Sequence, residues 1–168
     1  ITTILFTDGL GRVIQTKKDG SVHKGKGAAP TDVMIVSGRV TFDHVGRTID
    51  AYYPVTEPKG ANNVFNVTYD GIQPTTTQYD VIDRVLATTI PDNTTTSHQY
   101  TLAADRSTLK RLKTRTTDAE SNAKETYRDI RDQIRSIREF NGAQQIWTEY
   151  AYDPIQQLTT VKDDQNNL

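Results

Sequence analysis

His23, His44 and His98 are the three imidazoles of a 168-residue chain that has no cysteine. Imidazole carries protons and binds transition metals near neutral pH, but it needs a partner at a usable spacing, such as i, i+4 on a helix. None of the three has one, so each reads as a surface or turn histidine. Without cysteine there are no disulfides, no thiolate nucleophiles and none of the common structural zinc sites. Gly20, Gly25 and Gly27 beside Lys17, Lys18, Lys24 and Lys26 suggest a phosphate cradle at first sight. Neither Gly-Lys-Ser/Thr nor Gly-x-Gly-x-x-Gly is present, so the segment is expected to be a flexible, solvated loop. Catalysis needs convergent titratable groups. The chain displays none, and it is expected not to be an enzyme, with no catalytic residue, no metal and no cofactor.

Trp147, Tyr150 and Tyr152 are the one aromatic concentration. On a strand, Tyr150 and Tyr152 share a face on which a sugar ring would stack. Packing against the next strand pair explains the same residues and is the preferred reading, with carbohydrate contact as the alternative. Asn66-Val67-Thr68 and Asn93-Thr94-Thr95 match the glycosylation acceptor pattern, which is frequent by chance in a Thr-rich chain.

The elements that must carry these residues have little apolar material. Hydrophobic residues make up 35% of the chain and the mean hydropathy is −0.63, enough for a thin core. Lys and Arg number 20 against 21 Asp and Glu, and the net charge of −1 gives no electrostatic reason to expect nucleic acid or an anionic membrane surface. No apolar run approaches the roughly 20 residues of a membrane span. The chain opens Ile1-Thr2-Thr3-Ile4-Leu5 and closes Asp163-Asp164-Gln165-Asn166-Asn167-Leu168, and it is expected to be a piece of a longer polypeptide.

An internal repeat organises it. Phe6-Thr7-Asp8-Gly9-Leu10-Gly11-Arg12-Val13, Phe42-Asp43-His44-Val45-Gly46-Arg47-Thr48 and Tyr79-Asp80-Val81-Ile82-Asp83-Arg84-Val85 share an aromatic, an Asp, a Gly or Asp, then Arg. Weaker copies begin at Tyr127-Arg128-Asp129 and Tyr152-Asp153, giving units near 6–20, 42–58, 79–96, 127–142 and 152–168. The pattern reads as a hairpin corner. The carboxylate bonds the backbone N–H groups ahead of it, and Gly accepts the left-handed conformation that closes a type I turn with a bulge. Asp8, Gly11, Arg12, Asp43, Gly46, Arg47, Asp80, Asp83, Arg84, Asp129 and Asp153 are the expected turn residues. Alternating, β-branched stretches such as 84–90 and 158–161 follow the corners, as a pleated sheet requires. A second turn subtype is expected at 118–122 and 163–167, with Pro91-Asp92-Asn93 in a similar part.

Tyr79-Asp80 through Asp92, Tyr152-Asp153 through Asp163, and residues 7–16 resemble the YD repeats of rearrangement-hotspot (RHS) proteins. That family includes bacterial polymorphic toxins, the B and C components of insecticidal toxin complexes, and teneurins. The resemblance covers most of the chain and is weakest over 17–30 and 97–115. It implies a segment of a secreted or cell-surface protein whose strands form a hollow shell around a toxic C-terminal polypeptide. The implied partners are the flanking repeats of the same chain and the enclosed toxin. Asp153-Pro154 sits in an ordinary repeat position, without the Gly-rich continuation of the family's cleaving core, and is expected to be a turn.

One segment carries two periods. Tyr127, Ile130, Ile134 and Ile137 fall three and four apart, the stripe of an amphipathic helix over 122–140. The repeat register instead predicts strand, turn, strand, closed by Asn141-Gly142, and is preferred. The expected architecture is all-β: successive antiparallel hairpins in one extended, curling sheet. Each hairpin would borrow stability from its neighbours, and an isolated fragment would self-associate through its unpaired edges.

Overall fold

The computed structural model describes residues 2–60, 62–68 and 71–165; the last residues of the final repeat lie outside them. The described residues are all strand, turn and loop, with no helix, and therefore none long and apolar enough to cross a membrane. Two compact units divide the chain. The first takes residues up to Gln78 together with Thr89–Asn93, and the second takes Tyr79–Thr88 and the residues from Thr94 onward.

In the first unit β1 (Thr3–Thr7), β2 (Val13–Val22), β3 (Thr31–Val36) and β6 (Val55–Pro58) form an antiparallel sheet in the order β1-β2-β3-β6. The short hairpin of β4 (Val40–Phe42) and β5 (Thr48–Ala51) continues to β7 (Thr75–Tyr79) through Asp50 opposite Thr76. Strand alternation puts every second residue on one face. In β2 that face carries Gln15 and Lys17, opposite Phe6 and Ile4 of β1, and Lys17 stands beside Val36 of β3. Met34 and Val36 are buried there, and so are the polar Gln15 and Lys17. The Lys/Gly segment is thus a strand through Val22, and the expectation of a solvated loop over Lys17, Lys18 and Gly20 is corrected; only the stretch after Val22 is loop. The ammonium of Lys17 is matched by Glu57, 40 residues on, a partner no local window contains.

The second unit is a meander. β8 (Val85–Thr89), β9 (Thr95–Ala104), β10 (Lys110–Thr117), β11 (Ala123–Arg128), β12 (Ile134–Asn141), β13 (Gln144–Tyr152) and β14 (Leu158–Lys162) lie side by side in chain order. Each pair from β9 onward is antiparallel. Residues 122–140 form β11, a turn and β12, so the repeat register prevails over the helical stripe. The physical reason is that β11 finds hydrogen-bonding neighbours on both sides, Thr126 lying between Thr114 and Ile137. Tyr127 and Ala123 are its buried hydrophobic residues, alternating with exposed or half-buried ones. Ile130, which the helical reading needed inside, is fully exposed in the turn. The β12–β13 hairpin turns on Gly142 and Ala143, with Asn141 opposite Gln144 and only Gly142 at positive φ, as a II′ turn requires.

Candidate functional site

The recurrent polar feature is the aspartate corner. At Asp8, Oδ1 accepts the N–H of Leu10 (2.8 Å) and of Arg12 (3.0 Å), while Oδ2 accepts Nε of Arg12 at 2.7 Å. Asp43 makes the same three bonds with Val45 and Arg47, and Asp80 with Ile82 and Arg84. Backbone bonds close each corner: Gly11 N–H to Asp8 O, Gly46 N–H to Asp43 O and Asp83 N–H to Asp80 O. The residue three after the aspartate has positive φ: 78° at Gly11, 93° at Gly46 and 66° at Asp83.

The corner extends beyond the copies visible in sequence. Asp105 accepts Leu109 N–H and the Ser107 hydroxyl, and Thr108 takes the left-handed place at φ 65°. No aromatic precedes Asp105, which is why the sequence pattern passes over it. Asp118, expected in a second subtype, makes the same corner with Glu120 and Asn122, and Asn122 Nδ2 stands where the guanidinium does elsewhere. At 90–93 the place of the aspartate is taken by Ile90, whose carbonyl accepts Asn93 N–H; Asp92 is a middle residue. Asp129 accepts Arg131 and Gln133 N–H, with Asp132 at φ 63°. Asp153 accepts Gln157 N–H, and Pro154 occupies the second turn position that its fixed φ suits.

The arginine has a second task. Its guanidinium lies over an aromatic ring further along the chain: Arg12 over Phe42 at 4.1 Å, Arg84 over Tyr100 at 4.2 Å and Arg135 over Tyr152 at 5.2 Å. One side chain therefore closes its own corner and packs on a following strand, which supplies a physical reason for aromatic, Asp and Arg to recur together. The carboxyls are correspondingly acidic. Partial desolvation pushes Asp43 up, but the Arg47 backbone N–H, the Arg47 side chain and the Val45 N–H outweigh it and bring the group down to about 2. Asp8, Asp80, Asp105 and Asp129 are lowered in the same way, against desolvation, by their N–H and arginine donors.

The aromatic candidates of β13 do not form one platform. Trp147 lies against the ring of buried Tyr127, centroids 5.5 Å apart, with the Arg138 guanidinium 5.0 Å from its own centroid. Tyr152 is covered by Arg135. Tyr150 lines a pocket of about 360 Å³ with Asp105, Arg111, Arg135, Glu149 and Lys162. His98 Nδ1 contacts Thr116 Oγ1 at 3.1 Å, while His23 and His44 are exposed. Among the described residues no cluster of three or more His, Asp or Glu side chains is arranged to hold a metal.

Two polar clusters escape a sequence reading. Glu125 is only 1% exposed and accepts bonds from Lys113 (3.1 Å), Arg115 (3.3 Å), Tyr127 Oη (2.7 Å) and Arg138. Desolvation raises its carboxyl, but these donors outweigh it and hold it below the usual range, and burial with the Glu125 charge pushes Tyr127 up to about 12. In the first unit, Glu57 accepts both Lys17 Nζ (2.5 Å) and Asn66 Nδ2 (2.7 Å). The only sequence sign of either cluster is an acid at an inward strand position, with its partners on other elements.

No protein-family profile and no curated protein sequence matches the chain. Solved structures do. A crystal structure of TcdB2-TccC3-TEV and one of TcdB2-TccC3 without its hypervariable C-terminal region each align with 96% of the chain at a TM-score of 0.68 and 19% identity. The chain spans 9% of the length of each matched chain. Successive antiparallel hairpins in open sheets are therefore the fold this chain shares with part of the TcdB2-TccC3 chains.

Proposed function

We propose that the chain is a structural segment of an RHS/YD-repeat shell, one stretch of the wall around a C-terminal toxin in a larger secreted or surface protein, and not an enzyme. The observation that carries the reading is the match of nearly the whole chain to a small part of the TcdB2-TccC3 chains. The aspartate corners support it. Their polar groups are spent on each other and on the backbone, which suits a wall better than a reaction centre. Carbohydrate binding at Trp147, Tyr150 and Tyr152 is the weaker alternative, because Tyr127, Arg138 and Arg135 already pack on two of those rings.

Limited proteolysis of the intact parent protein tests the proposal. The C-terminal polypeptide is expected to resist added protease while the wall is intact, and to become cleavable when the corners are weakened by Asp43→Ala with Asp80→Ala. A C-terminal polypeptide digested equally fast in both proteins would reject encapsulation.

A further inference from the structure

Lys17 has no exposed surface. Burying an ammonium is costly unless it is paired, and here the pairing has an unusual partner set. Lys17 Nζ donates to Glu57 Oε1 at 2.5 Å and to Val64 O at 2.6 Å. The other oxygen of the same carboxylate accepts Asn66 Nδ2 at 2.7 Å. One acid thus holds an amine and a carboxamide together. The Asn66 carbonyl oxygen in turn accepts Thr68 N–H at 2.7 Å. Gln15 grips the Asn66 main chain from both sides, Nε2 donating to its carbonyl (2.8 Å) and Oε1 accepting its N–H (2.9 Å). Phe6 and Phe65, in edge contact at 5.7 Å, form an apolar wall, with Lys17 Nζ 5.6 Å from the Phe6 centroid.

These are the parts of an acyl transfer: a nucleophile, a base that touches both nitrogens, and a donor on the oxygen where charge develops. We infer that Lys17, Glu57 and Asn66 form a self-acting cross-linking site, in which the Lys17 amine displaces ammonia from the Asn66 carboxamide and leaves an isopeptide bond between β2 and the segment after β6. Glu57 Oε1 takes a proton from Nζ, and the freed electron pair attacks Asn66 Cγ. The carbonyl electrons move onto Oδ1, facing the Thr68 N–H. The Glu57 carboxyl turns, hands that proton to Nδ2 and takes the second proton from Nζ. The Cγ–Nδ2 bond breaks as the carbonyl reforms, and ammonia carries the last proton from Glu57 away as ammonium. Glu57 ends as it began, and no outside reagent is consumed. Gln15 is a positioning residue, holding the carboxamide against the base. A pocket lined by Lys17, Glu57 and Asn66 gives the ammonia a way out.

Mass spectrometry of the purified chain tests this. The wild-type mass is expected to be lower than the sequence mass by one ammonia. Trypsin should then yield a branched peptide joining residues 13–18 to 60–84, because an acylated Lys17 is no longer cut. Glu57→Gln and Lys17→Arg should each restore the full mass for their sequence, and Gln15→Ala should slow bond formation without abolishing it. A succinimide at an asparagine also sheds ammonia but joins no peptides, so a mass deficit without the branched peptide overturns the proposal. A wild-type chain at full sequence mass overturns it too, and that result needs no variant to fold. A branched peptide that persists in Glu57→Gln would remove Glu57 from the reaction and overturn the mechanism.

Discussion

Arg135 donates Nε to Oδ2 of Asp129 at 2.7 Å from six residues away, the bond that Arg47 makes to Asp43 from only four. Arg111 reaches Asp105 in the same way at 3.0 Å. Two residues further along a strand is the same face again, so an arginine displaced by one strand period still finds its carboxylate. In β12 the register shifts as Arg128 pairs with Ile134 and Tyr127 with Ser136, leaving Arg135 as the extra residue beside the corner. The backbone of the corner keeps one spacing throughout, whereas the guanidinium that closes it need only stand on the same face as the carboxylate.

Acid should loosen the corners. The Asp43 carboxyl lies at about 2 when folded, below its ordinary 3.8. A depressed folded value means stabilisation that is fully present above the unfolded value and lost as pH falls through the folded one. The thermal midpoint, followed by circular dichroism, should hold steady from neutral pH to about 5 and drop between about 4 and about 2. Asp43→Asn should lower the midpoint at neutral pH and flatten part of that acid slope. A midpoint with no slope in this window would contradict the assignment.

Gly46 should matter more than its polar neighbours. It sits at φ 93°, and a Cβ there would also come within 3.1 Å of an Arg12 nitrogen. Gly46→Val should cost about 1 to 2 kcal/mol or more. His44→Ala, at an exposed position of the same corner, should stay within about 0.5 kcal/mol. Urea denaturation of the two variants makes the comparison, and equal effects would reject the turn geometry.

The buried Glu125 cluster should be the most sensitive polar site of the second unit. Glu125→Ala strands Lys113, Arg115, Arg138 and the Tyr127 hydroxyl, and should cost about 3 to 5 kcal/mol. Tyr127→Phe removes one bond to a charged group and should cost about 1.5 to 3 kcal/mol. With its hydroxyl pushed up to about 12, Tyr127 should be among the last tyrosines to ionise in an alkaline absorbance titration. A normal, early ionisation of Tyr127 in the folded chain would show that the cluster is open to water.

Strand edges that are unpaired among the described residues should make the chain self-associate. β14 ends its sheet with Leu158 and Val161 exposed, and β1 ends the other with Leu5 exposed. Open strand edges recruit further chains unless charge or bulges blunt them. Sedimentation over a concentration series should show a discrete oligomer growing in with concentration. A monomer that persists at the highest concentration would mean these edges are protected.

The strand class was legible in the sequence because its causes are local. Aspartate, glycine and arginine within five residues contain a whole corner, and alternation within a strand needs no distant partner. Even where Tyr127, Ile130, Ile134 and Ile137 spelled a helical stripe, the repeat register pointed to strands. What decided it was β10 and β12 on either side of β11, which satisfy its backbone as a helix would have done internally. The Asp105 corner stayed hidden because it lacks the aromatic and carries Thr108 where glycine was sought. The polar interiors were decided by tertiary structure alone. Lys17 looked like one lysine of a solvated run until Glu57 and Asn66 arrived from elsewhere in the chain, and Glu125 meets its three cations only because β10 and β12 fold on either side of it. A buried charge is tolerable only when its partners are delivered to it, and delivery is a property of the fold and not of the residues on either side.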